Sequence, residues 1–137
     1  MNTQQNLADL GGRALIAAIF LIAGLNKIGG YAGTQGYMEA MGVPGALLPL
    51  VIALEVVGAV AIIVGWRTRL FAFLLAGFSV VSAVIFHRVL GDQTQFILFM
   101  KNFAIAGGFL FLVARGPGAW SLDARRKGLT TAEARRP

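Results

Sequence analysis

ALLPLVIALEVVGAVAIIV, residues 46–64, holds a single charged side chain, Glu55, in an otherwise apolar run. A run of about 17–25 apolar residues crosses a bilayer as a helix. This one is apolar nearly all round and lacks the alternation of a membrane β-strand. Three further segments of the same kind flank it, approximately Leu10–Ile28, Leu70–Phe86 and Phe96–Val113. Short connections between four such helices predict an all-α, integral membrane, antiparallel four-helix bundle.

The composition agrees. Of 137 residues, 57% are hydrophobic and 13% are charged, against roughly 45–50% and about 25% in soluble domains. A chain this short has too little interior to hide that much apolar surface from water. Length allows one domain, residues 1–137, with a basic tail over residues 114–137. The absence of cysteine excludes disulfides, thiol redox centres and Cys-ligated metal, and one histidine argues against a multi-histidine metal or haem site. No covalently bound cofactor is expected.

The connection GGYAGTQGYMEAMGVPG, residues 29–45, is long and glycine-rich. Thr34 is placed to cap a short interfacial helix over Gln35–Met41, ended by Gly42 and Pro44. Tyr31 and Tyr37 suit a membrane interface. The residues ahead of the first span lack a basic n-region, and the apolar run continues into Asn26 and Lys27, so the first span reads as a retained helix rather than a cleaved signal.

The net charge of +6 is mostly a statement of orientation. Arg13, Arg67, Arg69, Arg115, Arg125, Arg126, Lys127, Arg135 and Arg136 belong to the side of the two termini. Lys27, Arg88 and Lys101 belong to the other. Basic residues favour the cytoplasmic side, so both termini are expected in the cytoplasm. The basic tail then faces anionic lipid headgroups, and no motif points to nucleic acid.

Charges inside a spanning segment cost ~2.5–3.5 kcal/mol each on insertion scales and mark function by default. Four ionisable residues qualify, Lys27, Glu55, His87 and Lys101, with Asn26 and Asn102 beside two of them. At about 1.5 Å per residue, Glu55 lies roughly 13 Å deep and Lys101 roughly 7–8 Å, all in the outer half. Each shares a helix face with small residues: Lys27 with Gly24 and Ala23, Glu55 with Gly58 and Ala59, His87 with Ala83, Lys101 with Ala104 and Gly108. Small residues mark close helix contacts in membranes. Both lysines are long enough to approach Glu55 if those faces turn inward.

Two readings stand. One is an outward-opening polar pocket for a small ligand such as a quinone, whose carbonyls accept hydrogen bonds, or a small anion. The other is a Glu–Lys pair that fixes helix register, with Lys27 and His87 reaching the headgroups. Ser121–Leu122–Asp123 reads as a helix cap on the cytoplasmic side.

In order and spacing, GRALIAAIFLIAGLNKI at 12–28, YMEAMGVP at 37–44, Glu55 in ALEVVGAVAIIVGWRTR, FH at 86–87, FMKNFAIAGGFL at 99–110 and GPGAWSLD at 116–123 resemble the DoxX family of small four-helix membrane proteins. The resemblance covers about residues 11–123. It implies a bacterial or archaeal inner-membrane protein linked to quinone-dependent redox complexes and oxidative stress. It marks Lys27, Glu55, His87, Lys101 and Asn102, with Ser121 and Asp123.

Three functions follow as expectations. The first is a redox-associated subunit that binds a quinone-like ligand; were it an enzyme, it would be an oxidoreductase subunit acting with the quinone or a redox protein partner. The second is a non-enzymatic membrane module for assembly or stress, and the third a small proton-coupled transporter. A homo-oligomer is compatible with each.

Overall fold

In hydrocarbon every backbone polar group must find its partner within the protein, which leaves the helix as the form for apolar runs such as these. The computed structural model of the protein describes residues 2–134, and among these it is helical without strands. The helices are α1 (Thr3–Gly29), α2 (Tyr31–Ala40), α3 (Leu48–Val64, entered through the 3-10 turn Gly45–Leu47), α4 (Thr68–Phe86), α5 (Gln93–Arg115) and α6 (Leu122–Ala134). Four of them, α1, α3 with its turn, α4 and α5, are long and apolar enough to cross a membrane. The predicted four-helix architecture is what the chain adopts. Arg135 and Arg136, two of the charges used for the orientation, lie outside the described residues.

The helices run longer than the apolar segments alone. α1 begins at Thr3, capped by Asn2, whose Oδ1 accepts from the Gln5 amide at 2.8 Å. Its 27 residues reach about 40 Å, more than the ~30 Å hydrocarbon core, so α1 is longer than a span requires. α5 is capped by Asp92, whose Oδ1 accepts from the Gln95 amide at 3.1 Å.

The loop helix differs from expectation. It starts at Tyr31, one residue after α1, and Thr34 lies inside it. The Thr34 hydroxyl donates back to the Gly30 carbonyl at 2.9 Å and so caps nothing. With Gly30 alone between α1 and α2, the chain turns without the predicted cap. The far end is as the sequence implies: Gly42 adopts φ +82° and Pro44 follows.

Packing divides the bundle into two antiparallel pairs. α1 lies along α3 and α4 along α5; α3 and α4 share a smaller contact, and α1 and α5 a smaller one still. Small residues permit this closeness. A Cβ on Gly24 of α1 would stand 2.7 Å from Val56 Cγ2 on α3, so any side chain there forces Val56 or the helices to shift. The buried centre is built of Ala17, Phe20, Ala59, Ile62, Ala72, Leu75, Ala76, Ala106 and Phe109. The Phe20 ring fills the space between the pairs, 5.5 Å from the Phe109 centroid and 6.3 Å from that of Phe78. Leu15, Ile22, Val57, Phe73 and Phe111 remain on the outside, where lipid chains rather than water meet them.

Candidate functional site

The end of the bundle opposite the termini encloses a cavity of about 520 Å³ between the two helix pairs. α1 contributes Phe20, Ala23 and Lys27, α2 Tyr37 and Met38, α3 Val51 and Glu55, α4 Phe78, Ser79, Ser82, Phe86 and His87, and α5 Asn102 and Ile105. The wall is thus largely apolar, with a few polar groups gathered from every spanning helix. Tyr37 of α2 stacks on Phe86 of α4, centroids 5.3 Å apart and 23° between the planes, so the loop helix is tied to the rim.

Glu55 has no exposed surface (0%). Lys27 Nζ donates to its Oε1 at 2.7 Å. Close contact at Gly24, one turn before Lys27, lets α1 approach α3 closely enough for this pair. A carboxylate without water is stable only when paired and hydrogen-bonded, and each of its oxygens seeks a donor. Glu55 Oε2 has none.

His87 stands at the end of α4, and its Nδ1–H donates to Gln95 Oε1 at 3.0 Å, tying α4 to the start of α5. Asn102 reaches the cavity from α5. Lys101 does not. It is exposed on the outer face of α5, and Lys27 is the lysine that meets Glu55. The expectation that Lys101 turns inward fails on helix rotation. The inward face of α5 is Asn102, Ile105, Ala106 and Phe109, spaced by three, four and seven. Lys101 lies about 90° from the middle of that stripe, beyond its edge at Ile105. Four of the five candidates, Lys27, Glu55, His87 and Asn102, therefore line one cavity.

The other end of the bundle contains a residue that sequence reasoning valued only as a topology signal. Arg13 is 1% exposed. Its guanidinium donates to the Ile63 carbonyl at 3.2 Å, to that of Ile62 at 3.4 Å and to that of Trp120. It thereby satisfies carbonyls that the end of α3 leaves without helical partners. Gly65 ends α3 at φ +74°, where a Cβ would lie 2.5 Å from Arg13 Nη1. The signal in the sequence is an arginine at the edge of an apolar run, facing a glycine-rich GPGAW segment, but its partners are backbone atoms and leave no residue pattern.

The SLD stretch caps two helices at once. Ser121 Oγ accepts from the Ala124 amide at 3.1 Å and opens α6. Asp123 reaches across to α4, where its carboxylate accepts from the Arg67 amide at 2.8 Å and the Thr68 amide at 2.9 Å. Its own amide donates to the Gly65 carbonyl at 2.9 Å. Burial alone would raise the Asp123 pKa. The hydrogen bonds from Thr68 and Arg67 and the charge of Arg126 outweigh it and hold the carboxyl below the usual aspartate range. These contacts also hold Arg67 at φ 45°, a left-handed conformation uncommon for a residue with a side chain.

Comparison with known proteins agrees with this architecture. The DoxX family profile matches residues 8–88, the stretch that carries Lys27, Glu55 and His87. The chain is 49% identical over 123 residues to the Inner membrane protein YqjF of Escherichia coli K12, covering 90% of this chain and 95% of that protein. It is 41% identical over 120 residues to the Inner membrane protein YphA of the same organism, covering 82% and 86%. It is 29% identical over 85 residues to the Putative oxidoreductase CatD of Bacillus subtilis 168, covering 62% and 63%. No solved structure matches it. By the extent of the profile match and of these two Escherichia coli relatives, the chain belongs to the DoxX family.

Proposed function

We propose that this protein is a redox-associated subunit of the bacterial or archaeal inner membrane that binds a small quinone-like ligand in the cavity between its helix pairs. The observation that carries the reading is the cavity itself, about 520 Å³ with apolar walls and a Lys27–Glu55 pair among its lining residues. A mostly apolar pocket with a few convergent polar groups is the usual form of a small-molecule site. A ring on an alkyl tail fits such a surface, with its oxygens toward Lys27 and Asn102. Support also comes from the relative named as a putative oxidoreductase. The sequence carries no cysteine, so electron chemistry falls to the ligand or to a redox protein partner.

Orientation follows the basic residues, with both termini in the cytoplasm and the cavity mouth facing outward. A reporter fused after Pro137 that is active only outside the cytoplasm would reverse it.

Purified protein in detergent, titrated with an alkylated benzoquinone, tests the ligand. Saturable binding and a concentration-dependent rise in thermal midpoint are expected. No binding, together with no quinone extracted from membrane-purified protein, would remove this reading. Substrate flux abolished by Glu55→Gln would instead favour a transporter.

A further inference from the structure

The tail end of the bundle holds a second cavity, of about 710 Å³, away from the Lys27–Glu55 pair. Three chain segments meet in it: the start of α4 with Arg67 and Arg69, the end of α5 with Arg115, and the first turns of α6 with Arg126 and Lys127. The one acid in its lining, Asp123, is already bonded. Its carboxylate accepts from the Arg67 and Thr68 amides, which leaves five cationic side chains around one satisfied anion. A second acid, Asp9, stands against Gly118 outside the lining, and its charge acts on Arg13. The arginines are held in place by the fold. The Arg69 guanidinium lies against Gly116, where a Cβ would stand 3.3 Å from Nη2. The Arg67 guanidinium sits 5.5 Å from the centroid of the Trp66 ring. Among the described residues no ion pair holds Arg67, Arg69 or Arg115.

We infer that this cavity binds the phosphate of an anionic phospholipid headgroup, as a discrete site and not through the general charge of the tail. Like charges gathered in one concavity repel, and a phosphate diester relieves that repulsion by accepting from planar guanidinium forks. Arg69 is the second residue of α4 and Arg115 the last of α5, so both stand where the spans meet the headgroups. Leu70 lines the same cavity and is 48% exposed, so acyl chains continue from it along the flank of α4. That apolar edge favours a lipid over free phosphate. The surplus of cations disfavours the choline or ethanolamine group of a zwitterionic lipid. The inference is independent of the ligand proposed for the other cavity.

Both tryptophans of the chain, Trp66 and Trp120, are at this end, so quenching of their fluorescence by lipids with brominated chains reads lipid bound here. The intact protein in neutral detergent is titrated with brominated phosphatidylglycerol and with brominated phosphatidylcholine at one ionic strength. Phosphatidylglycerol is expected to bind about tenfold or more tightly than phosphatidylcholine. Arg69→Gln and Arg115→Gln, both at exposed side chains, are each expected to reduce that ratio about fivefold, the worth of one basic residue at an anionic surface. Arg125→Gln removes the same charge from α6 outside the cavity lining and is expected to keep the ratio within about twofold of the wild type. An equal loss in all three variants would overturn the discrete site, as would equal binding of the two lipids by the wild-type protein. Displacement of phosphatidylglycerol by millimolar inorganic phosphate, with ionic strength held constant, would overturn the lipid as the occupant.

Discussion

Lys27 Nζ and Glu55 Oε1 meet at 2.7 Å across the α1–α3 contact, but the two side chains see different surroundings, 29% exposed for the lysine and 0% for the glutamate. The two ends of the pair are therefore not equivalent. Removing the lysine strands a charge in the bundle. Removing the carboxylate frees a lysine whose long stem reaches the headgroups. Lys27→Met is expected to cost about 3 kcal/mol, as for a buried pair broken on one side, and Glu55→Gln distinctly less. Unfolding in mixed micelles followed by circular dichroism measures both, and equal losses would contradict this asymmetry.

Gly24 is where α1 and α3 come nearest the pair. A side chain there meets Val56 Cγ2 at 2.7 Å and Glu55 Cβ at 3.2 Å. Gly24→Val is expected to push the helices apart and cost about 1–3 kcal/mol, the usual range for overpacking. It should also weaken ligand binding, because the Lys27–Glu55 distance grows with the gap. Gly77, which has nothing within 4 Å of a built Cβ, is the control; Gly77→Ala should leave ligand binding unchanged and should not lower stability, since alanine is the better helix former.

At the tail end, Arg13→Met leaves the carbonyls of Ile62, Ile63 and Trp120 without this donor. The loss is expected to be about 2 kcal/mol or more, since unpaired buried acceptors cost about 1–3 kcal/mol each. Arg13→Lys keeps the charge but not the planar fork and should recover less than half of that loss. Faster proteolysis after Trp120 in both variants would report the freed segment; full recovery by lysine would mean that charge alone matters.

Asp123 gives a pH dependence of known sign. Its carboxyl is held below the ordinary range in the folded protein. It therefore stabilises the fold above its unfolded value of about 4 and loses that contribution as pH falls through the lower folded value. Thermal midpoints measured from pH 6 downward should show a drop below about pH 4 that Asp123→Asn lacks, the variant being less stable at neutral pH. Identical profiles would refute the capping of α4 by this residue.

The spanning helices and their order were legible in the sequence because lipid imposes one rule on every turn, and hydropathy alone records it. So was the convergence of Lys27, Glu55 and His87, each marked by small residues a turn away. Lys101 was misread for a local reason: Lys101 and Asn102 are adjacent in sequence, and a single step rotates the choice between lipid and cavity. The apolar stripe through Ile105, Ala106 and Phe109 favours Asn102, while the small residues Ala104 and Gly108 had pointed to Lys101. Arg13 and Asp123 were harder to see because both act on main-chain atoms, which are the same at every position. Thr34 had the right residue type for a cap; that the loop helix would begin right after Gly30 was not encoded in that type.

The two ends of the bundle are fastened unequally. At the tail, Arg13 and Asp123 bind main-chain atoms of α3, α4 and the Trp120 segment. At the loop end, the bonds across helices come from side chains: the Lys27–Glu55 pair, the His87–Gln95 bond and the Tyr37–Phe86 stack. The protein is thus a clasp with a fixed spine and a free lip. Opening is expected to start at the lip, and a molecule dissolved in the leaflet at that end would need to part only those few side chains to reach Glu55, while the connections at the tail stay closed.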